Sequence, residues 1–397
     1  MALNHSPSIV TNGLVFAYDM ANTQKSWKGA PTTNLLAYSD SLNGGLWSGY
    51  CGGTSNVTYK TTDIVAPDGS YNATKLVMDG STGCGAGAAW GLLYGQSAIF
   101  TSGQTYTVSI WARCSTDTVT TTMGLGMNDS FSIGVTLTTT WQRFSYTATI
   151  TGNLDRGLQF IRGDSTIGKT IYVWGAQCEQ NSFATPYISS PTSSTTRANT
   201  QAIVDLTNNN TVTATSLTYA SDGTFSFNGS NNYLTISTFV NKPTTAITVE
   251  SWIKPTKPTL TGTIRGASIS ATNSMYLGII DSIDGGLTHA LHWANQTSIN
   301  RVYSWNGNIP NNYWSHIAGT YDGTTMRAYL NGVEIYSAAQ TGTIPDATYV
   351  LGTYGQALQD GVHNFNGILS LNKIYNRALT AAEVQQNFNA LKGRYGL

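Results

Sequence analysis

Cleaving a glycosidic bond with retention needs two carboxyl groups about 5–5.5 Å apart. On one strand face that calls for acids at short, repeated spacing, and the sequence holds no such set. Glu250 stands alone in Val-Glu-Ser-Trp-Ile-Lys-Pro, where a polar strand residue explains it; Glu334 falls in a hairpin and Glu383 in a helix-capping box. The chain therefore reads as a protein that is not an enzyme. His289 and His292 have a metal pair's spacing on paper, yet no carboxylate cluster accompanies them. His316, in Trp-Ser-His-Ile-Ala-Gly, reads as a hydrogen-bonded sheet histidine. No Ser-His-Asp arrangement can be argued.

What remains is recognition. A sugar lays its C–H face on an exposed aromatic ring while amides and carboxylates take its hydroxyls. The candidates are Trp293, Tyr303 and Trp305 in the loop-rich stretch 281–314, and Trp47, Tyr50, Trp90 and Tyr94 nearer the start. Trp111, Trp174 and Trp252 sit inside strand patterns and are weaker candidates. Of the four cysteines, Cys51 and Cys84 lie in Gly-rich loops and form the candidate disulfide, while Cys114 and Cys178 lie in strand patterns and read as small buried hydrophobes.

The elements that must position these residues are short strands. Tyr106, Val108, Ile110 and Ala112 alternate along Thr105–Arg113, as do Phe144, Tyr146, Ala148 and Ile150 along Trp141–Ile150. Thr224–Asn228, Tyr233–Ser237, Ile247–Lys254, Met275–Ile279 and Trp314–Tyr321 repeat the style. Asn331-Gly332, inside Arg327–Tyr336, predicts a type I′ hairpin, because both central positions need positive φ. One helix is predicted over 381–391. Thr380 and Glu383 supply its capping box, Ala381, Val384, Phe388 and Leu391 its apolar face, Gly393 its stop, and Arg394–Leu397 a short tail. The fold class is all-β: two β-sandwich (jelly-roll) domains with one short C-terminal α-helix.

Only 10% of the 397 residues are charged, and the formal net charge is zero. That balance argues against a nucleic-acid partner, which would need a basic patch. No stretch approaches the length of a membrane span. Met1–His5 lacks a basic region, and the apolar run Leu14–Ala17 is too short for a signal peptide, so folding in the cytoplasm is expected.

Several segments resemble a known family. Phe225–Ile236, Thr248–Pro255, Trp314–Gly323, Tyr329–Gly332 and Ile374–Val384 together resemble the concanavalin-A-like lectin/glucanase superfamily in its laminin-G-like form. The opening Asn12–Gly29 and the ending Gln385–Leu397 look like recurrent ends of tailed-bacteriophage virion proteins. In laminin-G-like phage domains a strand of the type Gly13–Asp19 precedes an Asp-Leu-Thr turn, here Asp205–Thr207. The resemblance thus implies a discontinuous sandwich. Residues 1–30 would contribute the first strand, 31–190 would form an inserted domain, 191–200 a linker, and 201–397 the rest of the sandwich. The insert resembles carbohydrate-binding-module-like jelly rolls through Asn34–Leu36, Trp47, Tyr106–Ala112, Trp141–Phe144, Val173–Gln177 and Phe183–Tyr187.

The resemblance implies a virion structural protein: tail fibre, baseplate-associated or capsid decoration, assembled in the host cytoplasm. Its expected partners are other virion proteins, further copies of itself in a homotrimer, and a host-surface glycan, with no nucleic acid and no membrane insertion. The alternatives are a virion glycan depolymerase, a pure scaffold without ligand, and a secreted lectin or adhesin. No cofactor is expected. Laminin-G-like domains sometimes hold calcium at the sandwich rim, and Asp281, Asp284 and Asp322 are loop acids suited to oxygen ligation, although Asx turns explain them without an ion.

Overall fold

The computed structural model describes residues 8–22, 25–42, 46–50, 57–58, 60–78, 90–94, 99–125, 132–151, 158–162, 168–219, 225–237, 239–256, 265–271, 275–281, 288–297, 301–351, 353–354 and 363–397. Among the described residues the chain is all-β apart from one helix and a short 3-10 turn near its end, and it divides into two units. The first joins Met1–Ala30 to Asn199–Leu397, and the second is Pro31–Ala198.

The first unit is a sandwich of an eight-stranded and a seven-stranded sheet. The central strand of the larger sheet, Asn366–Tyr375, pairs along one edge with Ile247–Pro255. Its other edge is shared: Phe225–Asn228 takes the beginning and Leu14–Asp19 takes the end, with Phe16 opposite Ile374 and Tyr18 opposite Asn372. Leu14–Asp19 is too apolar to lie free, and its outer edge would otherwise offer unpaired backbone groups. Asp205 closes that edge. Its buried carboxylate accepts from the Ala17 N–H at 3.0 Å, while Leu206 N–H donates to the Ala17 carbonyl at 2.7 Å and Asn210 Nδ2 to the Val15 carbonyl at 2.9 Å. Alternate residues from both sheets form the core, among them Phe16, Phe225, Val249, Leu277, Leu291, Trp293 and Ile374. Asn331 and Gly332 take φ of 51° and 80° between Thr325–Leu330 and Val333–Ala339, the hairpin their types demand.

The helix runs Ala381–Leu391, with Thr380 as N-cap and the Thr380–Glu383 capping box complete. Gly393 does not stop the chain's winding: Lys392–Tyr395 continues as a 3-10 turn, and Gly396, at φ 74°, ends it in the left-handed region. The expected tail is therefore docked. Tyr395 stacks on Trp252 with ring centroids 4.0 Å apart, and Arg394 pairs with Asp19 at 2.6 Å. Ala381, assigned to the apolar face, is exposed, and the buried member between Val384 and Phe388 is the polar Asn387.

The second unit packs two five-stranded sheets face to face. One runs Gln142–Thr149, Thr105–Cys114, Lys169–Glu179, Thr74–Met78, Val57–Thr58; the other runs Trp47–Tyr50, Trp90–Tyr94, Leu158–Arg162, Val119–Leu125, Ser132–Leu137. Tyr106, Val108, Ile110, Ala112 and Cys114 point inward from one long strand to meet Trp47, Tyr94, Met123, Leu125 and Phe160. Residues 191–200, which read as a linker, contain a strand: Thr195–Arg197 pairs with Thr32–Asn34 inside this unit. The polar composition concealed it, because a short two-stranded ladder needs no apolar alternation.

Candidate functional site

If Tyr106, Val108, Ile110 and Ala112 face the core, the residues between them must face outward. Trp111 is one of these. It stands opposite Arg143 on one neighbouring strand and Trp174 on the other, so Arg143, Trp111 and Trp174 form a row across three strands. The next row is Ser145, Ser109 and Gln177; the one after is Thr147, Thr107 and Glu179. Trp174 and Gln177 share this face although three positions apart, because the register shifts between them. Gly175 adopts φ 64° there, and a Cβ on it would press within 3.4 Å of the Trp111 ring.

The segment 61–73 and the turn 183–190 border this platform. Trp141 Nε1 donates to the Val65 carbonyl at 2.9 Å, and Ile64, Ala66 and Ala73 pack against Trp174. Tyr187 lies 4.6 Å from Trp174, centroid to centroid, and its hydroxyl donates to Asp40 Oδ1 at 2.5 Å. Burial, and then the neighbouring Asp40, push that phenol far above its ordinary range. Arg197 Nη2 holds the turn by donating to the Pro186 carbonyl at 2.6 Å; burial lowers its pKa to about 10, against the opposing pull of Glu179.

The charges on this face are not equally provided for. Glu179 is fully buried and well supplied: Thr185 Oγ1 donates at 2.6 Å, Gln177 Nε2 at 2.6 Å and Thr185 N–H at 3.0 Å. Arg143, half-buried, has one hydrogen bond, from Nη2 to Ser109 Oγ at 2.9 Å, and its Nε is buried without a partner. Burial lowers the Arg143 pKa, and Glu179 and Tyr187 raise it only in part. The indole N–H of Trp174, only 5% exposed, also lacks an acceptor. Part-exposed Trp111, Trp141 and Tyr187 beside the half-buried Arg143 make an amphipathic surface suited to a polyhydroxylated ring.

The expected sugar-stacking residues are placed differently. Trp293 is 0% exposed in the core of the first unit, where a Cβ on Gly319 would collide with its ring. Trp47 and Tyr94 are core residues of the second unit, 4.7 Å apart between centroids; Trp47 Nε1 donates to the Ala37 carbonyl at 2.9 Å and the Ala37 N–H donates to the Tyr94 hydroxyl at 3.0 Å. No face of these three rings is open to a ligand, which corrects their assignment. Tyr50, Trp90, Tyr303 and Trp305 lie on strands, and their side chains are outside the described residues. Cys51 and Cys84 also lie outside the described residues. Cys114 and Cys178 are buried free thiols, and burial raises that of Cys178 far above its usual range. Trp111 and Trp174, set aside as strand residues, are the ones on the platform. The available signal was phase: Trp111 is out of step with the apolar alternation of its own strand.

For calcium, Asp284 and the side chain of Asp281 lie outside the described residues. Asp322 organises a turn, accepting from Thr324 and Thr325 N–H and from Arg327 Nη1 at 2.7 Å. Burial pushes its carboxyl up, but these bonds outweigh it and hold the pKa far below the usual value. His289 Nε2 meets Asn311 Oδ1 at 2.8 Å, and the His292 ring packs on Tyr276 at 4.6 Å. Among the described residues no group of three or more His, Cys, Asp or Glu side chains could hold a metal ion.

Glu250 is not alone. On the outer face of the eight-stranded sheet it stands opposite Lys373, with Nζ 2.7 Å from Oε2 and side-chain exposures of 1% and 0%. The contact is an ion pair without hydrogen-bond alignment, since Nζ has no aligned acceptor. Asn387, from the helix above, donates to Glu250 Oε2 at 2.9 Å. His316 Nε2 lies 3.9 Å from Glu250 Oε1, and neither ring nitrogen has a hydrogen-bond partner. Burial lowers the His316 pKa to about 4, Glu250 working against the shift and Lys373 with it. Trp252, Phe388 and Tyr395 seal the cluster in stacked contact. It holds the helix to the sheet and admits no substrate.

Residues 227–385 match the family model of the concanavalin A-like lectin/glucanases superfamily, so the first unit carries a laminin-G-like domain of that kind. Similar solved structures include domain 4 of AbnA, a GH43 extracellular arabinanase from Geobacillus stearothermophilus, at 22% identity, covering 46% of this chain and 91% of that one with a TM-score of 0.35. The binding domain of botulinum neurotoxin DC matches at 14% identity over 49% of this chain and 50% of that one, with a TM-score of 0.36. The SAP-like pentraxin of Limulus polyphemus matches at 22% identity over 40% and 78%, with a TM-score of 0.30. The chain thus spans about half the length of the neurotoxin domain. No curated protein matches the sequence.

Proposed function

We propose that this chain is a glycan-binding structural protein of a bacteriophage particle, in which the second unit grips a saccharide through the Arg143–Trp111–Trp174 face. The observation that carries the binding half is that row itself: part-exposed Trp111 beside Arg143, which makes one hydrogen bond, to Ser109. The laminin-G-like domain matched over 227–385 supports a lectin-like reading of the first unit. Engagement of Glu250 by Lys373 and Asn387 under the helix supports a binding rather than a hydrolytic protein. The particle half rests on the phage-like opening and closing segments. As a virion component the chain would work as an oligomer, a trimer on the fibre precedent, docked on other virion proteins.

Two experiments test it. Binding of the full chain to a panel of bacterial surface polysaccharides should be saturable and fall with Trp111→Ala, with no reducing ends released; binding that ignores Trp111→Ala would remove the platform from the proposal. Mass spectrometry of purified phage particles from the source of the sequence should find the chain at stoichiometric level, and its absence would refute the virion assignment.

A further inference from the structure

A charged group that has lost part of its water is stabilised only by an opposite charge or by several hydrogen bonds. The fully buried acids Glu250 and Glu179 obey this. Glu250 has Lys373 and Asn387, and Glu179 has Thr185 and Gln177. Arg143 does not. The residue is half-buried at the edge-strand end of the platform row, makes a single hydrogen bond to a neutral serine, and among the described residues has no carboxylate at ion-pair distance. The acids around it are already engaged: Glu179 as described, and Asp40 by the hydroxyls of Tyr187 and Ser189 at 2.5 and 2.8 Å. The planar fork of an arginine matches a carboxylate with two parallel N–H donors. Beside it Trp111 is part-exposed, and beyond Trp111 lies the buried Trp174.

We infer that the platform selects an acidic saccharide: Arg143 pairs with the carboxylate of a uronic- or sialic-acid-type pyranose whose ring lies on Trp111. The inference rests on the glycan-binding reading of the same face and adds the ligand's charge. A neutral sugar would offer Arg143 hydroxyl acceptors but no opposite charge, and would bury it further. An acidic one supplies the missing charge and two acceptors. Selectivity for acid over neutral form then comes from one residue, and affinity from the aromatic surface beside it.

The test uses the full chain and matched ligands. Oligogalacturonate and its methyl ester, a hyaluronan hexasaccharide and its carboxyl-reduced form, and sialyllactose and lactose are titrated by calorimetry in low and moderate salt. At least one acid should bind about tenfold or more tightly than its neutral counterpart, as loss of a charge-assisted contact implies. The preference should shrink with added salt and disappear in Arg143→Gln, while Trp111→Ala weakens acid and neutral forms alike. The matched pairs need no variant, so the result stands even if a substitution disturbs folding. Equal binding of acid and neutral forms, or a preference that survives Arg143→Gln, overturns the inference while leaving glycan binding intact. No binding by these probes, together with Trp111-dependent binding of neutral polysaccharides, also overturns it. No binding of any saccharide refutes both readings.

Discussion

Each unit has a sheet whose outer face carries tryptophan and charge, and the two faces have opposite fates. On the eight-stranded sheet, Trp252 lies under Phe388 and Tyr395, and Glu250 and Lys373 neutralise one another beneath Asn387. On the five-stranded sheet, Trp111 stays part-exposed and Arg143 has one neutral partner. The difference is the helix. It delivers aromatic rings and an amide to the first face, and that face becomes core. Over the second face, among the described residues, a loop edge and a turn arrive; they bury Trp174, Gln177 and Glu179 but leave Trp111 and Arg143 part-exposed. Residue type alone does not make a site; a site is where the fold declines to supply the partner.

The comparison breaks most visibly at Glu250. Glu250→Ala leaves Lys373 charged and buried, and should destabilise the first unit by about 3–5 kcal/mol. Chemical denaturation of the full chain, with hydrogen exchange of Ile247–Pro255 to localise the loss, measures it; a cost below about 1 kcal/mol would mean the closed face is not closed by this pair.

Acid should loosen the same face. The His316 pKa is lowered by burial to about 4, against 6.5 for the exposed side chain, so the unfolded chain takes up the proton first. The neutral imidazole's contribution is whole above pH 6.5 and is lost as pH falls toward 4, about 3 kcal/mol in all. His316→Leu should flatten stability across that window, and an unchanged pH profile would rule His316 out as its source. Next in size, Thr380→Ala removes the N-cap of the covering helix and should cost about 1 kcal/mol, read as faster amide exchange at Glu383 and Val384. Smallest of all, Arg143→Ala on the open face should change stability by no more than about 0.5 kcal/mol. If it costs as much as Glu250→Ala, Arg143 is structural and the contrast between the faces is wrong.

Local patterns carried much of the architecture. The Asn331-Gly332 hairpin, the capping box at Thr380–Glu383 and the alternation of Thr105–Cys114 are read within a few residues, and each is seen where its chemistry demands it. Leu14–Asp19 reads as an apolar strand in want of a sheet, and it is hydrogen-bonded to a strand more than three hundred residues later. The site was less legible. Trp293 reads as an exposed ring in a loop-rich stretch, but glycine such as Gly319 can make room for a buried indole. Trp111 reads as core because it lies in a strand pattern, although half of every strand points the other way. Glu250 read as solitary because its counter-ion lies over a hundred positions away on a neighbouring strand.

By itself the sequence determined what depends on neighbours along the chain: strand period, turn type, helix start, and a surface poor in charge. Tertiary structure alone decided which face of each strand would be covered and which charge would find a partner. Those outcomes depend on contacts between segments far apart in sequence, and a backbone period of two says only that a strand has two sides, never which of them stays in water.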